Sequence, residues 1–161
     1  MARVLIVGCG CRGRGLASVL RQEGHAVRGT TRRPESLAEI ERAGAEAVIA
    51  DPDRLGTVMA ALGGVSVLCW LLGSATADAA SDLHGPRLRT LLERLVDTPV
   101  RGFVYEATGS ANRELLQAGA RAVREASETW RMPAEVVEAD PADHPPWRAA
   151  MVRAVGRVLA C

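Results

Sequence analysis

Three glycines, Gly8, Gly10 and Gly13, stand in the spacing G-x-G-x-x-G directly behind the apolar run Val4–Val7, and the helical pattern of Leu16–Leu20 follows them. Each position has a distinct physical use where a backbone must hold a pyrophosphate. The first glycine permits the tight turn, the second lets the chain approach the ligand, and the third lets helix and strand pack closely. Unpaired N–H groups and the positive dipole end at a helix start favour an anion at the same place. Cys11 and Arg12 lie inside this turn. The strand before it and the helix after it are the context that turns a common loop pattern into an expected dinucleotide site.

The second set of residues is Thr30-Thr31-Arg32-Arg33-Pro34, about twenty residues beyond the turn. A site selecting NAD carries an Asp or Glu at this place to hold the ribose hydroxyls. Here two hydroxyls and two guanidiniums replace it, and guanidinium binds phosphate through paired, charge-assisted hydrogen bonds. NADP is therefore expected ahead of NAD, with Thr31, Arg32 and Arg33 around the extra phosphate and Arg12 able to join them. The plainer alternative is that these arginines are solvated. Asp51 ends the third strand, where it can accept from the adenine amino group or cap the turn before Pro52. Gly73 and Ser74 follow the fourth strand and are expected beside the cofactor's ribose and nicotinamide.

Other chemistry is excluded or thin. All 20 basic residues are arginine, so a Schiff-base lysine, a Walker lysine and a Tyr-x-x-x-Lys pair are all ruled out. Thr108 and Ser110, in Ala107-Thr108-Gly109-Ser110, are candidates for polarising a carbonyl, and His84 for donating a proton. The Gly109-Ser110 pair lacks the G-x-S-x-G context of a nucleophile elbow. Asp140, Asp143 and His144 share a proline-rich loop read as a rigid, solvated connector. Cys9-x-Cys11 has no second Cys/His pair at ligand spacing, so no metal is expected.

The elements that must position these residues alternate along the whole chain. Strands are expected over Arg3–Val7, Ala26–Thr30, Ala45–Ala50, Val65–Leu72, Arg101–Ala107 and Ala134–Glu138. Helices are expected over Arg12–Glu23, Pro34–Ala43, Asp53–Leu62, Asp82–Val96, Asn112–Trp130 and Trp147–Leu159. That alternation predicts an α/β fold in one domain, a doubly wound parallel sheet of about six strands in the order 3-2-1-4-5-6. The loops at the carboxyl ends of the strands then share one cleft. A chain of 161 residues with 48% hydrophobic residues and a net charge of +1 has enough apolar material for such a core, and nothing in it points to nucleic acid. No apolar stretch approaches the roughly 18 residues of a membrane span, and four scattered cysteines fit a reducing, cytoplasmic compartment. Trp130, Trp147 and the last helix are expected to offer a face for a homodimer.

With its Ile6-Val7-Gly8-Cys9-Gly10 turn, Thr31-Arg32-Arg33 strand end and Asp51, the chain resembles the atypical short-chain dehydrogenase/reductase group over essentially residues 1–140. The resemblance implies NAD(P) binding through Gly8, Gly10, Gly13, Arg32 and Asp51, and a catalytic hydroxyl at Thr108 or Ser110. Active dehydrogenases of this group carry Tyr and Lys four residues apart on the helix after strand 5. Asn112–Trp130 holds neither, and the only tyrosine, Tyr105, lies in the strand before it. Two functions remain open: an oxidoreductase acting on a small substrate, or a non-catalytic NAD(P)-sensing or regulatory module, including a cofactor-binding subunit completed by a partner chain.

Overall fold

Val4, Leu5, Ile6 and Val7 are all buried, since this strand is covered on both faces and has a hydrogen-bonded neighbour on either side. In the computed structural model, which describes Met1–Cys161, the elements run in chain order. They are β1 (Arg3–Val7), α1 (Cys11–Gln22), β2 (Ala26–Thr31), α2 (Leu37–Arg42), β3 (Glu46–Ile49), α3 (Leu55–Ala60) and β4 (Val67–Trp70). The second half adds α4 (Ala77–Leu83), α5 (Pro86–Leu95), β5 (Gly102–Glu106), α6 (Arg113–Trp130), β6 (Ala134–Val137) and α7 (His144–Ala160). The six strands form one all-parallel sheet in the order β3-β2-β1-β4-β5-β6, the doubly wound arrangement expected from the alternation.

Two apolar layers sandwich the sheet, and the pleat assigns residues to them alternately. Val4, Ile6, Val67, Cys69 and Val104 face the layer under α1, α2 and α7, while Leu5, Val7, Leu68, Trp70, Phe103 and Tyr105 face that of α3, α5 and α6. Four buried leucines of α5 (Leu88, Leu91, Leu92 and Leu95) recur at helical spacing on the second layer.

Four expectations need correction. The helix expected over Asp82–Val96 is two helices, because Pro86 has no N–H to donate and Gly85 adopts a non-helical conformation before it. The helix expected from Pro34 opens as a 3-10 turn, Pro34–Ser36, and becomes α-helical only at Leu37. The last helix starts at His144 rather than Trp147, since Pro145 and Pro146 fit a first turn whose N–H groups lack intrahelical partners. Trp147 is 1% exposed and belongs to the core, so it offers nothing to a second chain, whereas Trp130 remains exposed.

The α4–α5 break also decides the fate of His84. Its ring is buried, with Nε2 2.8 Å from the Leu72 carbonyl and Nδ1 2.6 Å from the Tyr105 hydroxyl. A carbonyl only accepts, so Nε2 carries the proton and Nδ1 accepts from Tyr105 O–H. Burial lowers the His84 pKa and raises that of Tyr105. His84 therefore does not serve the cleft as a proton donor; it is a neutral link between β4 and β5. Gly119 of α6 completes the arrangement, because a Cβ there would overlap the Tyr105 hydroxyl and stand 2.7 Å from Cζ.

Two outcomes follow. Gly119→Ala should lose about 2 kcal/mol net, overpacking outweighing the helix preference for alanine, and thermal unfolding should read this as a midpoint drop of roughly 4–8 °C. An unchanged midpoint would refute the packing. Second, with its folded pKa below its unfolded pKa, His84 contributes stability that is full above about pH 6.5, declines below it as the unfolded chain takes the proton first, and is lost once pH has fallen through the lower folded pKa. Urea unfolding between pH 7.5 and 5 should show this decline, at most about 1.4 kcal/mol per pH unit, and His84→Gln should remove it. Glu106, whose pKa is raised, works in the opposite sense and stays in both proteins.

Candidate functional site

The glycine turn leaves β1 at the point where the strand order reverses, between β1 and β4. Gly8 has φ +86°, and a Cβ on it would collide with the Leu71 carbonyl, so the β1 and β4 ends touch here. Gly13 sits against strand and turn: its Cβ would stand 3.2 Å from the Gly8 carbonyl oxygen and 3.4 Å from Ile6 Cγ2. Gly10 is the opposite case. A Cβ on it would meet nothing within 4 Å, so the space above it is open. The backbone N–H groups of Cys11, Arg12 and Gly13 donate to no acceptor in the protein, and no acid occupies the first turn of α1. A cavity of about 90 Å³ lies against these residues. The two thiols of the turn diverge, Cys9 packing into the core against Gly29 while Cys11 is exposed. Burial pushes the Cys9 thiol up to about 12.

A cleft of about 300 Å³ continues from the turn along the ends of β2, β3 and β4. Thr31, Arg32 and Arg33 line it, with Gly8, Gly10 and Ser74. The Thr31 hydroxyl accepts from the Arg33 N–H at 3.1 Å, which shapes the loop so that both arginines leave β2 together. Neither guanidinium forms an ion pair. A third arginine, Arg14, also lines the cleft, held 3.2 Å from Glu39. No carboxylate belongs to the lining. Arg14 was not among the residues singled out from sequence; it is the first arginine after the glycine turn, and its direction depends on where α2 lies.

Asp51 and Gly73 are placed behind this surface. The Asp51 carboxylate accepts from the Asp53 N–H at 2.9 Å, capping the turn before α3, while its neighbours Ala50 and Pro52 face the cleft. Gly73 is buried, donates its N–H to Glu106 at 2.9 Å and accepts from the Ala111 N–H at 2.9 Å. A Cβ on Gly73 would collide with the Thr108 carbonyl, so only glycine lets the β4 and β5 loops cross.

Arg12 does not stand free beside the arginines of β2. One of its terminal nitrogens donates to both oxygens of Glu106 at 3.2 Å, and its guanidinium lies 5.5 Å from the centre of the Trp147 ring. Glu106 is fully buried. Burial raises its carboxyl pKa, and Arg12 and the Gly73 N–H pull it back down. The Trp147 indole also acts to lower it, yet its N–H makes no hydrogen bond of normal geometry. From sequence, Glu106 after Tyr105 could face the cleft or pair with an arginine; the structure shows the pairing, by a lone acid ending the otherwise uncharged strand Gly102–Glu106.

A second cavity of about 450 Å³ opens on the other side of Ser74, over the ends of β5 and β6. Arg12, Thr108, Ser110, Asp140 and His144 line it. Here the Asp140–Pro146 segment, expected to be only a connector, contributes to a wall. The Thr108 hydroxyl donates to the Ala139 carbonyl at 2.6 Å, and the Ser110 N–H reaches the Ser74 hydroxyl at 3.4 Å. No group of three or more His, Cys, Asp or Glu side chains converges as a metal site. No helix is long and apolar enough to cross a membrane.

The family model described as NAD(P)H-binding matches residues 9–144, most of the chain. No curated protein matches the sequence. Among solved structures, a Bacillus halodurans protein assigned as an NAD-dependent epimerase/dehydratase has a TM-score of 0.72 at 21% identity, over 87% of this chain and 71% of its own. UDP-glucose 4-epimerase of Thermotoga maritima has a TM-score of 0.69 at 13% identity, over 83% of this chain and 54% of its own. Triphenylmethane reductase of Citrobacter sp. has a TM-score of 0.63 at 19% identity, over 83% and 47%. The chain thus spans about half the length of the last two. Of two further neighbours, one contains NAD and the other NADP+, so the likenesses span both cofactors and carry the fold alone. With the unpaired amides of the turn, the open space over Gly10 and the family match in agreement, the chain belongs to the NAD(P)H-binding family of Rossmann-fold domains.

Proposed function

We propose that this protein binds NADP(H) in preference to NAD(H) and acts as an oxidoreductase on a small substrate. The observation that carries the cofactor choice is the charge of the cleft: three arginines line it and no carboxylate does. A ribose 2′-phosphate gains bidentate, charge-assisted hydrogen bonds from Arg32 and Arg33 and meets no repulsion. The free amides of Cys11, Arg12 and Gly13 suit the pyrophosphate, and Ser74, which borders both cavities, suits the nicotinamide end. When bound, the nicotinamide supplies or accepts a hydride; the protein's part is orientation. The side cavity takes the substrate, with Thr108 and Ser110 as hydroxyls for a carbonyl oxygen and His144 as an exposed titratable group of the same wall.

A second reading, a cofactor-sensing module, is favoured by one feature. Tyr105 and His84 are locked in the core, and the Thr108 proton is already donated to Ala139. Titration with NADPH and NADH by nicotinamide fluorescence, followed by absorbance decay with a panel of carbonyl compounds, separates the two. Tight NADPH binding with decay supports the oxidoreductase; tight binding without decay supports the sensor; binding of neither cofactor removes both.

Two variants test the site directly. Arg32→Ala should weaken NADPH about tenfold while leaving NADH unchanged, and an equal loss for both would take the 2′-phosphate away from Arg32. Gly10→Ala should leave the unfolding midpoint of the free protein within about 2 °C and weaken both cofactors at least tenfold, since the methyl group enters open space that the pyrophosphate needs. Unimpaired binding in Gly10→Ala would place the pyrophosphate elsewhere.

A further inference from the structure

A groove of about 580 Å³ runs between α6 and the end of β6, and it shares Thr108, Gly109 and Glu138 with the side cavity. Its floor is apolar, formed by Ala107, Leu116 and Ala120 among others. Its wall is cationic: Arg113, Arg121 and Arg124 line it from one face of α6, with Gln117 between them. Arg113 and Arg121 form no ion pair, and Arg124 reaches only Glu138, at 3.9 Å with both side chains exposed. Arg121 and Arg124 stand three residues apart, close enough on one helix face for their charges to repel. The acids of the same helix, Glu114, Glu125 and Glu128, are not in the lining and form no ion pair with these arginines.

The contrast with the other arginine-rich hollow is instructive. Around α5, Arg54, Arg87 and Arg94 share their cavity with Asp53 and Asp82, and Arg87 already faces Asp53 at 3.8 Å. That hollow is largely self-compensated. The α6 groove has one acid against three guanidiniums, and that acid sits at the boundary with the side cavity. The start of α6 is not the attraction, because the Asn112 side chain already accepts from the Glu114 N–H.

We infer that the α6 groove is an oxyanion subsite that holds the carboxylate or phosphate of the substrate while its reactive end lies over Thr108 in the side cavity. This rests on the oxidoreductase reading and narrows its substrate to a small carbonyl or hydroxyl compound with an anionic group at the far end. A planar guanidinium pairs with either oxyanion through two parallel hydrogen bonds, and the alanine floor accepts the carbon skeleton between the two ends.

The test titrates 15N-labelled protein, free and saturated with NADPH, against phenyl phosphate, benzoate and uncharged benzyl alcohol. At least one anion should shift the amides of Thr108, Gly109, Gln117 and Arg121 in the NADPH-saturated protein, while benzyl alcohol binds at least tenfold more weakly. The stronger of the two anions identifies phosphate or carboxylate, and either supports the subsite. Arg113→Gln combined with Arg121→Gln should weaken that anion about tenfold, the loss of a charge-assisted contact, with NADPH affinity unchanged, and Arg54→Gln should leave both intact. Retained anion affinity in the double variant, equal binding of benzyl alcohol, shifts confined to the glycine turn and Arg32, or no anion binding would each overturn the inference. If NADPH itself does not bind, the functional reading fails on its own, and the groove is judged by the same shifts and variants in the free protein.

Discussion

The carboxylate of Glu106 is the point on which the functional edge of this molecule depends. It is fully buried at the end of β5, accepts from the Gly73 N–H and from Arg12, and so joins the β4, β5 and β1 ends. Arg12 in turn lies over Trp147, which brings α7 into the same knot. Such a pair gains little net stability, since desolvating two charges offsets much of their attraction. Two of its buried donors, Arg12 Nε and Trp147 Nε1, lack partners, which argues further against a stability role. What the network supplies is geometry. With Gly73 held from both sides and Gly8 pressed against Leu71, the loops that must border one ligand cannot drift apart.

Around that knot the charges divide by purpose. Toward β2 the cleft is lined by arginines alone among charged residues, which suits phosphate. Across Ser74 the side cavity mixes hydroxyls, His144 and acids, which suits a polar, neutral reacting group. The two chemically able residues of the core, Tyr105 and His84, satisfy one another and are withdrawn from both spaces. Neither is free to exchange a proton in either space.

Much of the fold was legible because it rests on local rules. Alternating apolar runs and capped helices imply a parallel sheet, and the six strands stand in the expected order. The glycine jobs were also legible, since a positive φ at Gly8 and a close approach at Gly13 follow from the turn itself. Local rules misled where two segments compete for the same space. The apolar pattern of Asp82–Val96 runs across Gly85-Pro86, a pair that leaves the helix start open in the sequence, and the break there turns His84 inward. Trp147, expected at a homodimer face, is core instead, because an amphipathic helix does not say what lies against its apolar stripe.

By itself the sequence determined the architecture, the dinucleotide-type turn and the absence of a Tyr-x-x-x-Lys pair, all properties of residue type and spacing along the chain. Only the tertiary structure decided which charges meet. Arg12, Arg14 and Arg32 are chemically alike, yet one is bound to Glu106, one to Glu39 and one to neither. Side-chain partners come from strands and helices far apart in sequence, and an arginine's role is set by the carboxylate the fold brings to it or withholds from it.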